Sequence, residues 1–103
     1  LLRMNAAELM DQQADDTIVD TIRKAARAVP GVKSVEKLRV RRSGMEYFAD
    51  LHLEVDPQIT VERGHEIGHA VKAKLVQEIT ALRDVLVHLE PYTRRPESPP
   101  HDQ

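Results

Sequence analysis

Cysteine is absent from this chain of 103 residues. Disulfide bonds and thiolate metal sites are therefore excluded, so any metal ion must be bound by His, Asp, Glu or water. The absence of disulfides fits a reducing compartment. No apolar run approaches the length of a transmembrane helix, and no signal peptide is recognisable.

An excess of charge of one sign is also lacking, since the net charge is −2 at pH 7. No overall field therefore attracts nucleic acid or a membrane surface. One basic run could face phosphates and consists of Lys33, Lys37, Arg39, Arg41 and Arg42. Aromatic residues are scarce, however, whereas sheets that bind single-stranded RNA stack bases on aromatic side chains. We therefore expect a solvated basic strand, or one paired with acids across a dimer, and no nucleic-acid partner.

The two ends of the chain lack a sustained apolar period. We interpret residues 1–16 as a linker with one helical turn near 6–10. Because the first residue is Leu1 rather than Met, we expect the chain to be a segment of a longer protein. Residues 92–103 are polar and rich in Pro, which predicts a disordered tail.

Two helices are predicted between these ends. Residues 60–79 form an amphipathic helix that Thr60 can cap. Its apolar stripe consists of Ile67, Val71, Leu75 and Ile79. Residues 17–29 form an earlier helix with one apolar face, and Pro30-Gly31 ends it.

Three strands are predicted at residues 32–42, 47–55 and 84–90. In the second strand, one face carries Tyr47, Ala49, Leu51, Leu53 and Val55, and the other carries Phe48, Asp50, His52 and Glu54. We expect the first face to be buried against the helices. The second face is mostly polar and should meet water, a metal ion or a partner.

The predicted element order is α-β-β-α-β, with two helices on one face of a three-stranded sheet. This is an α+β fold, a truncated ferredoxin-like arrangement that lacks the first strand. Residues 17–91 should form this single domain. Because the other sheet face is left uncovered, we expect a homodimer.

One motif inside the second helix has a separate chemical meaning. Residues His65-Glu66-Ile67-Gly68-His69 match the H-E-x-x-H pattern, which places two imidazoles on one helix face, able to share a metal ion, with Glu66 as a possible base. A zinc hydrolase also needs a third ligand and a substrate cleft, and no extended third-ligand motif follows. Two solvated histidines on a polar helix face are the simpler explanation.

A second set of candidate ligands lies on the predicted strands. His52 and His88 fall on the polar parity of their strands, and Glu90 shares the parity of His88. Three nitrogen and oxygen ligands on the open sheet face could converge on a divalent ion. Alternation alone would also produce three exposed polar residues, so the pattern leaves both explanations open.

Taken in order, several short motifs resemble the cytoplasmic C-terminal domain of the cation diffusion facilitator transporters. These motifs are Pro30-Gly31-Val32, Leu38-Arg39-Val40-Arg41 with Ser43-Gly44, Leu51-His52-Leu53-Glu54, Gly64-His65 and Val87-His88-Leu89-Glu90-Pro91. The likeness covers about 9–91, and Leu9-Met10-Asp11 resembles the linker that leaves the last membrane helix. The resemblance therefore implies that residues 1–16 follow a missing transmembrane region. Residues 41–47 also resemble the magnetosome-associated, iron-linked branch.

The resemblance implies a homodimer on the cytoplasmic side of a membrane, which binds divalent metal near the dimer interface. The family's metal positions fall on His52, His65, His88 and Glu90. Glu36 stands where zinc exporters often have His, and Glu90 replaces a frequent Asp, so the site is richer in oxygen and leaves Fe²⁺ and Mn²⁺ open beside Zn²⁺. His69 is not a usual family ligand and would be auxiliary.

Three functional hypotheses follow from these patterns. The first is a regulatory and dimerising domain of a divalent-cation efflux transporter, not an enzyme, joined to that transporter's membrane part and open to a heteromer with a related transporter. The second is a small zinc hydrolase that uses the H-E-x-x-H helix. The third is an interaction module without metal.

Overall fold

The computed structural model describes residues 12–13 and 16–93. In chain order the elements are β1 (Gln12–Gln13), α1 (Asp16–Arg27), β2 (Val32–Ser43), β3 (Glu46–Val55), α2 (Val61–Glu78) and β4 (Leu82–Pro91). Each helix and strand predicted from the sequence is present, with bounds displaced by at most two residues. The helical turn predicted near residues 6–10 lies outside the described part of the chain.

The strands form one sheet in the order β1-β2-β3-β4. The β1–β2 and β2–β3 pairs are antiparallel, whereas β3 and β4 are parallel and are joined through α2, the crossover that parallel neighbours require. The two helices pack against each other and against the sheet, which confirms the truncated ferredoxin-like α+β fold. The short strand β1 was not predicted, because two residues within an expected linker carry no periodic signal.

The core lies between the helices and the inner face of β3. Six of its side chains are fully buried: Ile22, Ala26, Leu51, Leu53, Val71 and Leu75. Each buried leucine of this kind contributes roughly 1.5–3 kcal/mol relative to an exposed one. The alternation predicted for β3 is therefore confirmed on its inner face, and it directs the intervening His52 away from the helices.

Helix α2 begins where the sequence predicts, because the Thr60 hydroxyl accepts a hydrogen bond from the backbone N–H of Arg63 at 3.0 Å. Two buried glycines, Gly64 and Gly68, face β4. A Cβ atom at Gly64 would lie 3.4 Å from Leu89 Cδ1, so the small residue lets the helix backbone approach the strand closely. The helix that carries His65 and His69 is therefore held tightly against the edge strand β4.

Glu54 requires a correction to the predicted polar face of β3. The sequence pattern places Glu54 on the face that meets water, yet this residue is only 5% exposed. Ser34 of β2 and Glu90 of β4 lie opposite it in the sheet register. Because β3 is an interior strand, neighbours on both sides cover a side chain that alternation alone assigns to solvent.

The described segment ends just inside the predicted C-terminal tail. Tyr92, the first residue of that tail, donates its backbone N–H to the Val55 carbonyl at 2.7 Å. Residues 94–103 lie outside the described part of the chain, so disorder there stays a prediction. Within residues 12–13 and 16–93, no helix is long and apolar enough to cross a membrane.

Candidate metal centre

His52 and His88 lie side by side on the sheet face opposite the helices, which we call the open face. They are direct partners in the parallel register of β3 and β4. Their rings stack, with centroids 4.6 Å apart and planes inclined by 19°. We call His52 and His88 the strand pair. The fold brings these two residues together although they are 36 residues apart in sequence.

Each ring of the strand pair is oriented by a carboxylate from the other strand. The His52 Nδ1–H donates to Glu90 Oε2 at 2.8 Å, and the His88 Nε2–H donates to Asp50 Oδ1 at 3.0 Å. The hydrogen bond with His52 holds the pKa of Glu90 below its ordinary value, so the carboxylate is charged at neutral pH. One nitrogen of each ring remains available to a metal ion, as in the carboxylate–histidine–metal arrangements common in proteins.

The strand pair does not chelate one ion in this arrangement. Lone pairs of an imidazole lie in the ring plane, and nearly parallel stacked rings point them in parallel directions rather than at one point. In agreement, residues 12–13 and 16–93 contain no group of three or more His, Cys, Asp or Glu side chains placed to hold a metal ion. A shared ion needs a ring rotation or further donors from outside this chain. The donor types themselves, imidazole and carboxylate, fit a divalent transition metal.

Glu36 of β2 lies on the same face as the strand pair and is the register partner of His52 on β3. Its Oε1 accepts a hydrogen bond from the Ser34 hydroxyl at 2.8 Å, and its side chain is half-buried. A register shift follows at once, and Lys37 there has a left-handed φ of 49°. The structure therefore brings Glu36 into one row with His52 and His88, without a hydrogen bond between Glu36 and either ring.

His65 and His69 form a separate site on α2, the helix pair. Their Nε2 atoms lie 2.9 Å apart, with one donating to the other, and the rings meet edge to face with centroids at 4.3 Å. They line an open groove of about 210 Å³ between α2 and β4, beside Val87 and Leu89. His65 is therefore placed with His69 rather than with the strand pair, which lies on the other side of the sheet.

The remaining residue of the H-E-x-x-H motif is engaged elsewhere. The Glu66 carboxylate accepts a hydrogen bond from Arg63 at 3.3 Å, one helical turn earlier. Among the described residues, no third donor joins His65 and His69 in a metal-holding group. The third ligand that a zinc hydrolase needs is thus missing from this part of the chain.

Sequence reasoning missed one residue of the centre, Asp50. It shares the strand parity of His52, a signal available in the sequence. Its contact with His88 depends on the diagonal offset between two parallel strands, because Asp50 itself lies opposite Leu86. The offset between the strands cannot be deduced from strand parity, so the pattern assigns Asp50 to the polar face but not to the ligands.

Comparisons with known proteins agree with the predicted family. The model of the cation efflux protein cytoplasmic domain matches residues 14–92. Magnetosome protein MamM of Magnetospirillum gryphiswaldense is 40% identical over 82 residues, which are 80% of this chain and 26% of that protein. Metal tolerance protein 2 of Oryza sativa subsp. japonica is 30% identical over 82 residues, which are 80% of this chain and 21% of that protein. The chain thus spans only about a quarter of the length of these relatives.

Solved structures give the same assignment. A variant of the MamM C-terminal domain in its nickel form matches with a TM-score of 0.75 at 35% identity, covering 77% of this chain and all of that one. A variant of the same domain in a manganese form matches with a TM-score of 0.72 at 36% identity, covering 75% of this chain and 98% of that one. The family match over most of the chain, together with this agreement in fold, shows that the chain is a cytoplasmic domain of the cation efflux protein family, the cation diffusion facilitators.

Proposed function

We propose that this chain is the regulatory and dimerising domain of a divalent-cation efflux transporter. It senses metal by binding it on the open face, close to the contact between two copies. The observation that carries the proposal is the cluster of two stacked imidazoles, His52 and His88, each hydrogen-bonded to a carboxylate of the neighbouring strand, Glu90 or Asp50. The transport pathway itself would belong to the membrane part of the same protein, and a related transporter is a possible partner in a heteromer.

The donor set supports a cation of borderline or hard character. Two imidazoles and the carboxylates of Glu36, Asp50 and Glu90 offer more oxygen than nitrogen, which suits Fe²⁺ or Mn²⁺ at least as well as Zn²⁺. Relatives agree in kind, since MneP of Bacillus subtilis is a manganese efflux system protein, and MamM domain structures include nickel, cadmium and manganese forms. We therefore propose Zn²⁺, Fe²⁺ or Mn²⁺ as the sensed cation.

An incomplete site within one chain supports a role for the second copy. The stacked rings do not converge on one ion, so binding requires either a ring rotation or donors from a partner. Leu86 lies on the same strand parity as His88 and is 58% exposed, which places an apolar side chain beside the polar centre. A partner that covers Leu86 would remove this apolar surface from water and bring its own donors to the ion.

A site shared between two protomers would couple metal binding to the arrangement of the dimer. A ligand shifts an equilibrium between two arrangements only by its difference in affinity for them. An ion held by both protomers has that difference, because only the closed dimer supplies its full ligand set. Metal binding would therefore draw the two domains together and bias the attached membrane region.

The proposal is tested by titration calorimetry combined with small-angle scattering on the 103-residue chain. We expect a dimer without metal, divalent-metal binding, and a smaller radius of gyration once metal is bound. His52→Ala and His88→Ala should each weaken binding by at least roughly tenfold, since each removes a protein ligand.

Glu66→Ala serves as the control, because this exposed acid pairs with Arg63 on α2 and does not belong to the open face. It should bind metal and compact like the unchanged chain. Unchanged binding in both His52→Ala and His88→Ala would overturn the assignment. A peptidase activity that Glu66→Ala abolishes would favour the hydrolase hypothesis instead.

A further inference from the structure

We infer that a cavity beside the strand pair binds a small dicarboxylate together with the metal ion, through Lys37 and Arg39 of β2. One carboxylate of this anion pairs with the two cations, and the other supplies oxygen ligands to the ion. The inference deepens the proposed function and rests on it, because the anion binds next to the same open-face ion.

The cavity lies on the open face and has a volume of about 420 Å³. This volume is within the range of about 300–1,000 Å³ that is usual for small-molecule sites. Its lining residues are Lys37, Leu38, Arg39, Asp50 and His52. Because His52 belongs to the strand pair, a ligand in the cavity lies next to any ion that His52 binds. Both cations are exposed, so an anion can reach them from solvent.

An irregularity in β2 brings the cations to this cavity. In a regular strand, residues three positions apart point to opposite faces. The pairing with β3 shifts register between Glu36 and Arg39, so that both lie on the open face, opposite His52 and Asp50. Lys37, inside the shift, has a left-handed φ of 49° and lines the cavity. Such a backbone conformation is unfavourable for a residue with a side chain and is typical of functional sites.

The two cations are available to an incoming anion. Within residues 12–13 and 16–93, neither Lys37 nor Arg39 forms an ion pair with an acid. The nearby carboxylates of Glu36, Asp50 and Glu90 are hydrogen-bonded instead to Ser34, His88 and His52. A guanidinium group binds a carboxylate in a bidentate manner, which fixes the orientation of the anion as well as its position.

The charges around the cavity predict that the anion and the metal ion bind cooperatively. The cations Lys37 and Arg39 are outnumbered by the three acids Glu36, Asp50 and Glu90. Without a metal ion, the local field therefore opposes a dianion. A divalent ion on the open face reverses the sign of the local charge, and the dianion is then attracted. By linkage, the anion raises the affinity for the metal ion by the same factor.

A bound anion also completes the donor set that one chain leaves incomplete. The stacked rings of His52 and His88 do not converge on one ion. The described residues contain no group of three or more His, Cys, Asp or Glu side chains placed to hold one. A dicarboxylate held by Arg39 adds oxygen ligands beside His52, and oxygen ligands suit Mn²⁺.

The test is calorimetry of Mn²⁺ binding to the 103-residue chain in sodium malonate and in sodium chloride of equal ionic strength. Affinities are compared for free Mn²⁺, after correction for the complex that malonate forms with Mn²⁺ in solution. We expect malonate to raise the Mn²⁺ affinity at least roughly fivefold, the lower end of ordinary coupling between two ligands.

The double change Lys37→Gln with Arg39→Gln should act with opposite sign in the two solutions. In chloride it should bind Mn²⁺ at least as tightly as the unchanged chain, because two cations that repel the ion are removed. In malonate it should bind Mn²⁺ more weakly than the unchanged chain, because the anion is no longer held.

Lys24→Gln with Arg42→Gln is the matched control, since it removes the same two residue types from exposed positions outside the cavity. It should keep the effect of malonate, and all variants should keep the circular dichroism spectrum of the unchanged chain. Equal Mn²⁺ affinity in malonate and chloride, as expected if acids of a second copy fill the cavity, would overturn this inference alone. Loss of the malonate effect in the control would also overturn it, by showing a general effect of charge. Absence of Mn²⁺ binding in both solutions would overturn the proposed function as well.

Discussion

The two histidine pairs of this domain are built in opposite ways. The helix pair is local, because residues four apart on α2 meet whenever that helix forms. The strand pair is tertiary, because His52 and His88 meet only when β3 and β4 align in one register. The helix histidines bond to each other, whereas each strand histidine bonds to a carboxylate. A tertiary site of this kind responds to rearrangement of the fold, which suits the proposed sensing role, whereas a local site follows the helix alone.

The largest expected effect tests this dependence on the tertiary fold. Leu53 is fully buried and adjoins His52 on β3. Leu53→Ala should cost about 2–5 kcal/mol of unfolding free energy, since a cavity remains in the core on the inner face of β3. Chemical denaturation measures this loss, and calorimetry should show weaker metal binding by the strand pair in the same variant.

Met45→Ala is the control for that change. Met45 lies in the turn between β2 and β3 and is 91% exposed. Its substitution should alter the unfolding free energy by no more than about 0.5 kcal/mol. An equally small effect of Leu53→Ala would contradict the packing described for β3.

The carboxylates that orient the strand pair provide the next effect. Glu90→Gln and Asp50→Asn should each weaken metal binding at the open face by about 10- to 100-fold, because the hydrogen-bonded partner of a ligating histidine is lost. Calorimetry with Mn²⁺ measures the loss, and an unchanged Mn²⁺ affinity in both variants would contradict the role given to these carboxylates.

A stabilising change in α2 should act on the helix that carries the helix pair and leave the strand pair unaffected. A Cβ atom at Gly68 would lie 3.6 Å from Val87 Cγ1, an ordinary contact. Gly68→Ala should therefore stabilise the domain by about 0.5–1 kcal/mol through the higher helix propensity of Ala. It should leave Mn²⁺ binding at the open face unchanged. A drop in melting temperature would mean that α2 cannot accept the methyl group against β4.

The smallest expected effect concerns the ion pair beside the helix pair. The hydrogen bond from Lys72, then that from the Val85 backbone, holds the pKa of Asp84 below its ordinary value. Because folding lowers the pKa of Asp84, its ionised carboxylate stabilises the folded state at pH values above the ordinary pKa. This contribution is lost as the pH falls through the pKa of the folded state. Asp84→Asn should therefore lower the melting temperature slightly at neutral pH and not at all in strong acid. A difference that persists in strong acid would show that Asp84 acts through packing.

The contrast between the pairs also explains what the sequence could predict. His65 and His69 are four residues apart, so their contact follows from helical periodicity alone. The parity of His52, His88 and Glu90 was also readable, because alternation in each strand is a local pattern. The contact of Asp50 with His88 and the burial of Glu54 were not, since both depend on how separate strands align. The separation of His65 from the strand pair follows from the predicted arrangement, which places both helices on one sheet face and His52 and His88 on the other. The family resemblance nevertheless groups the three histidines as metal positions.

The most direct test of the account is to locate the metal itself. A crystal of the 103-residue chain grown with Mn²⁺ should give an anomalous diffraction peak on the open face, within bonding distance of His52 or His88 and close to a second copy of the chain. A Mn²⁺ peak at His65 and His69 with none on the open face would contradict the assignment of the sensing site to the strand pair.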